Sequence, residues 1–271
     1  MTILVTGATG LVGERLLPRL ANRGEDCRAL VRPGKACPAG ATAVEGDLFD
    51  SASLADAVAG VSAIIHLAAV FRTQDTDLIW KSNLEGSRSL ISAARTHAPE
   101  ARFIMASTSN VYNRTSTRPS RETDSVEPDQ AYPASKVAAE KLLRESGLNW
   151  SIVRLPFVYG DGDGHLEMLP QYLATFGRHP ANRMSIIHHR DVATAMQLAL
   201  TGAFDGRIVN ICDEAPTTVY ELVRIVGEDM APSSEPMQDP WSQHVDGTLA
   251  RSLGFQPVVR TVYQAVQEGI M

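Results

Sequence analysis

The sequence predicts an α/β fold: a doubly wound parallel sheet, with a small discontinuous lobe supplied by the C-terminal half. Three observations carry this. Apolar runs and amphipathic segments alternate through residues 1–155. Glycines 7, 10 and 13 follow the first apolar run at once. After Leu155 the texture changes, and glycine, proline and short segments dominate 156–186 and 228–260. Apolar strands that alternate with amphipathic helices need helices on both faces of a parallel sheet.

The elements follow in order. Ile3-Leu4-Val5 is a short apolar run bounded by a glycine turn, so 2–6 reads as a buried strand. Leu11, Val12, Leu16 and Leu17 recur at helical spacing, so 11–23 reads as a helix. The same reasoning gives strands at 26–32, 41–45, 62–67, 101–107 and 150–155, and helices at 51–59, 76–97 and 131–146. A helix over 189–202 and a strand over 206–211 are expected to return to the main sheet. The division expected is a dinucleotide-binding domain of 1–155 plus about 187–211, with a substrate lobe of 156–186 and 212–271. The polar stretch from Asn113 to Pro128 is an exposed loop, either a cover for the active site or plain surface.

Ligands of such sheets sit at the carboxyl ends of the strands. The notable residues fall there: the Gly7 turn, Arg32, Asp47, Ala68-Ala69 and Thr108. A strand, a glycine turn and a helix N-terminus together form a phosphate cradle. Gly7 permits the tight turn, Gly10 lets the backbone approach a pyrophosphate, and Gly13 lets the helix pack close to the sheet. The spacing is Gly-x-x-Gly-x-x-Gly rather than Gly-x-Gly-x-x-Gly.

Tyr132 and Lys136 stand four apart, roughly 40° around one helix face. A nearby ammonium favours the phenolate, and so lowers a tyrosine pKa from its usual value of about 10. The pair is therefore expected to give and take protons near neutral pH. Ser107-Thr108-Ser109-Asn110, at the end of a strand, offers hydroxyls to a substrate carbonyl or alcohol oxygen. Lysine can hold both the tyrosine and a cofactor ribose, and hydride then passes between nicotinamide and substrate. Val31 stands where an acid would bind the ribose of NAD, and Arg32 follows, with Lys35 nearby. Arg32 can pair with a 2′-phosphate, which favours NADP; if it stacks on adenine or points to solvent, NAD remains acceptable.

Taken together these motifs resemble the extended branch of the short-chain dehydrogenase/reductase superfamily, also called the NAD-dependent epimerase/dehydratase family. Further matching motifs are Gly46-Asp47-Leu48, His66-Leu67-Ala68-Ala69, Asn83-x-x-Gly86, Arg154-x-Pro156-x-Val158-Tyr159-Gly160, His188-x-x-Asp191-Val192-Ala193 and Leu253-Gly254-Phe255-x-Pro257. The resemblance covers nearly the whole chain and implies a Rossmann-type fold. It implies Tyr132 as acid/base, Lys136 as its pKa partner and ribose ligand, and Thr108 as the catalytic hydroxyl, with Ser107 or Ser109 if the register slips by one. It places a cofactor against Gly7, Thr9, Gly10, Leu11, Val12 and Gly13, against Arg32, Asp47 and Leu48, and against Leu67, Ala68, Ala69, Pro156 and Val158. Ser109, Asn110 and Phe157 would face substrate. Nucleotide-sugar members commonly carry Asn where Phe157 stands, so a smaller or more apolar ketone or alcohol competes with a nucleotide sugar. The leading expectation is an NAD(P)-dependent oxidoreductase, with a nucleotide-sugar epimerase or dehydratase second and a non-catalytic dinucleotide sensor third. The resemblance also allows a homodimer.

Composition bounds the partners. A net charge of −6 argues against an extended nucleic-acid surface. No apolar run approaches the roughly 20 residues that span a bilayer. The first strand is read from the second residue onward, so no signal peptide is expected. Cys27, Cys37 and Cys212 are scattered and lack metal spacing, which fits a cytoplasmic protein. The adjacent His188 and His189 point apart, so no metal is expected. His66, at the end of an apolar strand, is expected to be a satisfied core group. Phe157, Tyr172, Phe176, Trp241 and Phe255 are expected in the core or along a substrate pocket.

Overall fold

Residues Thr2–Thr6 form β1, where Ile3 and Val5 face one apolar core and Leu4 the other. That two-residue alternation lets one strand bury both faces. The computed structural model describes residues 1–176 and 178–271, without the side chains of 174–176. From β1 the chain runs through α1 (Leu11–Ala21), β2 (Asp26–Val31), β3 (Thr42–Glu45), α2 (Ser51–Val58) and β4 (Ala63–His66). It continues through α3 (Thr76–Trp80), α4 (Gly86–His97), β5 (Arg102–Thr108), α5 (Ala131–Arg144) and β6 (Asn149–Leu155). Next come β7 (Phe157–Tyr159), α6 (Leu169–Phe176), β8 (Arg183–Met184), β9 (Ile186–His188), α7 (His189–Leu200) and β10 (Arg207–Asn210). The chain closes with β11 (Thr217–Thr218), α8 (Val219–Ile225), α9 (Thr248–Ser252) and α10 (Val262–Glu268).

The seven-stranded sheet has the order β10-β6-β5-β4-β1-β2-β3, and its neighbours pair in parallel. The chain moves outward from β1 to β3, then crosses back to β4 and proceeds the other way. The carboxyl ends of β1 and β4 therefore flank the reversal, where such sheets open a crevice. Helices α1 and α7 cover one face through Leu16, Leu17, Leu20, Met196 and Leu200. Helices α2, α4 and α5 cover the other through Leu54, Leu90, Ile91, Ala139 and Leu143.

Expected and observed elements agree to within two residues, with one exception. The segment read as one helix over 76–97 contains a π-helical turn at Lys81–Glu85 between α3 and α4. This wider turn carries the buried Asn83, whose amide accepts from Val70 N–H at 2.8 Å and donates to Val70 O at 2.9 Å and to Ser135 Oγ at 3.0 Å. The side-chain amide thus ties the loop after β4 to α5, a use that regular helix spacing does not signal. His66 is a satisfied core group: its ring nitrogens meet Thr6 Oγ1 at 2.6 Å and Ser87 Oγ at 2.9 Å. Burial, and secondarily the Lys136 charge, push its pKa down to about 3, so it is neutral.

The C-terminal pieces build a third core from Leu166, Leu173, Ile186, Leu222, Val262 and Ala265. Strand β7 pairs with β9 in parallel and β8 with β11 antiparallel. Two carboxylates tie these pieces to the main sheet. Asp161 takes bonds from Arg19 at 2.7 Å on α1 and Arg190 at 3.3 Å on α7. Asp191, on α7, accepts from Val258 N–H at 2.5 Å and Val259 N–H at 3.0 Å. Phe255 belongs to the main core, Trp241 stacks on His244 at 5.4 Å, and Phe157 and Tyr172 line the cleft described below. The Phe176 side chain lies outside the described residues.

Beneath the lobe, Asp213 is buried; Oδ1 accepts from Ala215 N–H at 3.3 Å, and Oδ2 has no partner among the described residues. Burial raises its pKa to about 8. The folded state therefore holds a proton that the unfolded state, with an ordinary aspartate pKa of about 3.9, has lost. Stability from this group is full at low pH and is lost as pH rises through about 8. Asp213→Asn, which keeps the shape without the charge, is expected to flatten that fall. The gain at pH 8 to 9 is expected to be on the order of 1–3 kcal/mol, measured as denaturant midpoints at pH 5 and pH 9.

Candidate active site

A cleft of about 1300 Å³ opens above the carboxyl ends of the central strands and runs into the C-terminal lobe. Its floor is the turn between β1 and α1. Gly7 has φ +68°, and a Cβ there would stand 2.6 Å from Ala68 N. A Cβ on Gly13 would stand 2.4 Å from Gly7 O and 2.6 Å from Ala8 O. Both contacts are closer than any side chain tolerates, so these positions require glycine. Gly10 caps α1 in extended conformation with no side-chain hydrogen bond at the helix end. The N–H groups of the first turn, beside the cleft walls Leu11, Val12 and Gly13, remain available to an anion. The residues present thus fit a dinucleotide pyrophosphate.

The structure brings Thr108, Tyr132 and Lys136 to the same cleft. Thr108 ends β5, is 6% exposed, and accepts from Asn110 N–H at 3.2 Å. Its hydroxyl lies on the same cleft wall as the Tyr132 ring, close enough to pull the phenol pKa down in part. Tyr132 and Lys136 ride on the first turns of α5, one turn apart. Ser109, Asn110, Pro156, Phe157 and Val158 line the cleft, as do Leu67 and Ala69. Ser107 also lines the cleft, and its hydroxyl donates to Glu140 Oε1 at 2.5 Å.

Thr9, Gly10, Arg32, Asp47, Leu48 and Ala68 do not form the cleft wall. Ala68 packs its backbone beneath Gly7. Asp47 Oδ1 accepts from Phe49 N–H at 3.0 Å, and Leu48 packs toward the second core. Arg32 is exposed at the end of β2 and has no acidic partner among the described residues.

One expectation is corrected. The Tyr132 pKa is not lowered: burial pushes it up to about 12, and the Thr108 hydroxyl pulls only partly the other way. Lys136 is itself 1% exposed, and burial lowers its pKa to about 8, against the opposing charge of Glu140. Desolvation is the largest cause of each shift, and neither group moves the other's pKa. In this state the tyrosine is a neutral phenol, a proton donor at neutral pH.

Sequence reasoning missed the network behind the pair. Glu140 sits four residues after Lys136, a spacing that placed it on the same face. It accepts from Arg154 Nε at 3.1 Å and Nη2 at 2.6 Å, with both side chains nearly inaccessible. Arg154 Nη1 then donates to the Tyr112 hydroxyl at 2.9 Å, and Tyr112 to Asn210 Oδ1 at 2.7 Å. Also missed were Phe71, which packs on the Tyr132 ring at 5.3 Å, and His165, stacked on Phe157 at 4.2 Å. The two adjacent histidines diverge: His188 Nε2 meets Ile270 O at 2.8 Å, and His189 Nε2 meets Asp163 Oδ2 at 2.8 Å. Among the described residues no cluster could hold a metal ion, and no helix is long and apolar enough to cross a membrane.

Residues 3–212 match the NAD dependent epimerase/dehydratase family. A 4-hydroxy-2-methyl-3-oxo-4-farnesyl-3,4-dihydroquinoline-1-oxide ketoreductase of Stigmatella aurantiaca is 28% identical over 93% of this chain and 82% of its own. A dTDP-glucose 4,6-dehydratase of Streptomyces griseus is 26% identical over 95% and 89%. A short-chain dehydrogenase/reductase superfamily protein of Agrobacterium tumefaciens, solved with bound NAD, superposes with a TM-score of 0.82 at 25% identity, over 99% of this chain and 95% of that one.

The buried Lys136 generates a test. Its depressed pKa means that folding expels a proton between about 8 and the unfolded value of about 10.4, so this group costs stability below pH 8. Lys136→Met is expected to raise the melting temperature of the cofactor-free protein at pH 7 and to leave it unchanged near pH 11, while turnover is lost. Scanning calorimetry at the two pH values checks this.

Proposed function

The chain belongs to the NAD dependent epimerase/dehydratase family, and from that premise we propose that it moves a hydride between a nicotinamide cofactor and a carbonyl or secondary alcohol of a small molecule. The observation that carries this reading is the convergence of Thr108, Tyr132 and Lys136 on a cleft whose floor is the Gly7–Gly13 turn. The nicotinamide, when bound, supplies or takes up the hydride. Tyr132 gives its phenolic proton to the substrate oxygen in reduction and recovers it in oxidation. Its raised pKa keeps that proton in place at neutral pH, which suits carbonyl reduction. Thr108 holds the oxygen beside the phenol. Lys136 stabilises the phenolate as it forms and holds the cofactor ribose. The N–H groups of the first turn of α1 hold the pyrophosphate.

We assign the cofactor as NADP in preference to NAD. Val31 offers no carboxylate to a ribose hydroxyl, and Arg32, exposed without an acidic partner, suits a 2′-phosphate. In this reading residues 1–155 and about 187–211 hold the cofactor, and 156–186 with 212–271 hold the substrate. A cytoplasmic homodimer that pairs α4 and α5 with their copies completes the proposal; the three cysteines are unpaired. The second reading, a nucleotide-sugar epimerase or dehydratase, is favoured by the likeness to the dTDP-glucose dehydratase. Phe157, stacked on His165 in the cleft wall, weighs against it. Net change in reduced-nicotinamide absorbance with candidate substrates separates the two, since an epimerase returns its hydride within each turnover.

Tyr132→Phe deletes only the proton donor. It is expected to lower kcat by about 100-fold or more, while the dinucleotide dissociation constant stays within about twofold. Near-normal turnover would refute the assigned acid. Arg32→Glu is expected to weaken NADP by about tenfold or more relative to NAD. Equal effects on the two dinucleotides, measured by calorimetric titration, would remove the phosphate pairing.

A further inference from the structure

The lobe end of the cleft carries positive charge that hydride transfer does not use. Arg178, just after α6, lines the cleft and is half-buried. Its one hydrogen bond among the described residues is to Ser242 Oγ at 3.4 Å, at the limit of a hydrogen bond. No carboxylate pairs with it among those residues, whereas Arg19, Arg102, Arg154 and Arg190 each have one. Arg114, on the polar loop after Tyr112, lines the same space and also forms no ion pair among the described residues. Burial and the Arg114 charge both disfavour the Arg178 cation. Arg72 adds a third guanidinium, 5.1 Å from the Phe71 ring and 6.0 Å from that of Tyr172.

The acids in this wall do not neutralise the group. Asp163 is bonded to His189. Glu127 and Asp129 are exposed, near the start of α5, and form no ion pair with these arginines. A half-buried guanidinium beside a second cation is unfavourable unless an anion shares the space. Its planar fork matches the two oxygens of a carboxylate or phosphate. The neighbouring wall is aromatic, with Phe157 stacked on His165 and Tyr172 edge-on to that ring at 6.3 Å.

We propose that the substrate is a compact organic oxyanion, a ketone or alcohol bearing a carboxylate or phosphate ester, whose charge sits between Arg178 and Arg114 while its carbon frame lies against Phe157 and His165. This rests on the oxidoreductase reading above, and it specifies what that reading leaves open. The aromatic wall recognises a flat or apolar frame, the arginines fix its charged end, and the carbonyl then faces Thr108 and Tyr132.

The test uses the full chain saturated with dinucleotide and reads dissociation constants for benzoate, phenyl phosphate, benzamide and uridine diphosphate. Dinucleotide binding is measured first; its failure would sink the hydride-transfer reading, and the anion titrations are then run on the cofactor-free protein, so the two failures are told apart. Benzoate or phenyl phosphate is expected to bind about tenfold or more tightly than neutral benzamide. The tighter of the two identifies carboxylate or phosphate as the recognised group. Arg178→Met is expected to weaken that anion by about tenfold and Arg114→Met by several-fold, with dinucleotide affinity unchanged. Should Arg178→Met fold poorly, Arg178→Lys keeps the charge but loses the fork, and is expected to keep part of the affinity. Benzamide binding as tightly as the anions, or anion affinity indifferent to both substitutions, would overturn the proposal. So would uridine diphosphate binding more tightly than either small anion through the same arginines.

Discussion

The buried pair of Glu140 and Arg154 is the constraint on which the site depends. Glu140 stands on α5, Arg154 on β6 and Ser107 on β5, and the carboxylate bonds to both partners. Tyr132 and Lys136 ride on α5, and Thr108 follows Ser107, so this junction holds the phenol and the Thr108 hydroxyl to the same cleft. A buried ion pair is a costly way to join elements, because both charges lose water. Here the cost is offset by full satisfaction: Arg154 spends its remaining reach on Tyr112, and Tyr112 on Asn210 of β10. The chain of bonds thus runs from the helix of Tyr132 and Lys136 to the edge of the sheet.

Burial shapes the chemistry as well as the position. The burial of Lys136 and the partial burial of Tyr132 favour the neutral form of each. The resting pair is therefore a phenol beside a lysine of pKa about 8, rather than a phenolate beside a fixed ammonium. Asn83 supports the same geometry from the opposite side. By joining Val70 and Ser135 it holds the loop that carries Phe71 next to the Tyr132 ring. The π-helical turn at Lys81–Glu85 is what aims that amide inward.

Much of the scaffold was legible because its signals are local. Ile3-Leu4-Val5 and the glycines that follow announce a strand, a turn and a helix within thirteen residues. The Tyr132–Lys136 spacing needs only the helical period. The strand at Arg207–Asn210 could be read as returning to the sheet because its apolar pattern differs from the loops around it. What stayed hidden depends on partners far away in sequence. Glu140 carries no local signal beyond its helical spacing, and its partners Arg154 and Ser107 reach it only in the fold. Arg178 lies in a stretch without periodicity, and its meeting with Arg114 spans more than sixty residues.

The sequence by itself determined the doubly wound sheet, the glycine turn and the one-turn spacing of Tyr132 and Lys136, because periodicity and backbone sterics act over a few residues. The tertiary structure decided the rest: which partners hold Glu140, which direction each pKa moves, and where the unneutralised arginines gather. Those outcomes follow from how much water each group loses and which charge lands beside it, and both are settled only when distant segments pack together.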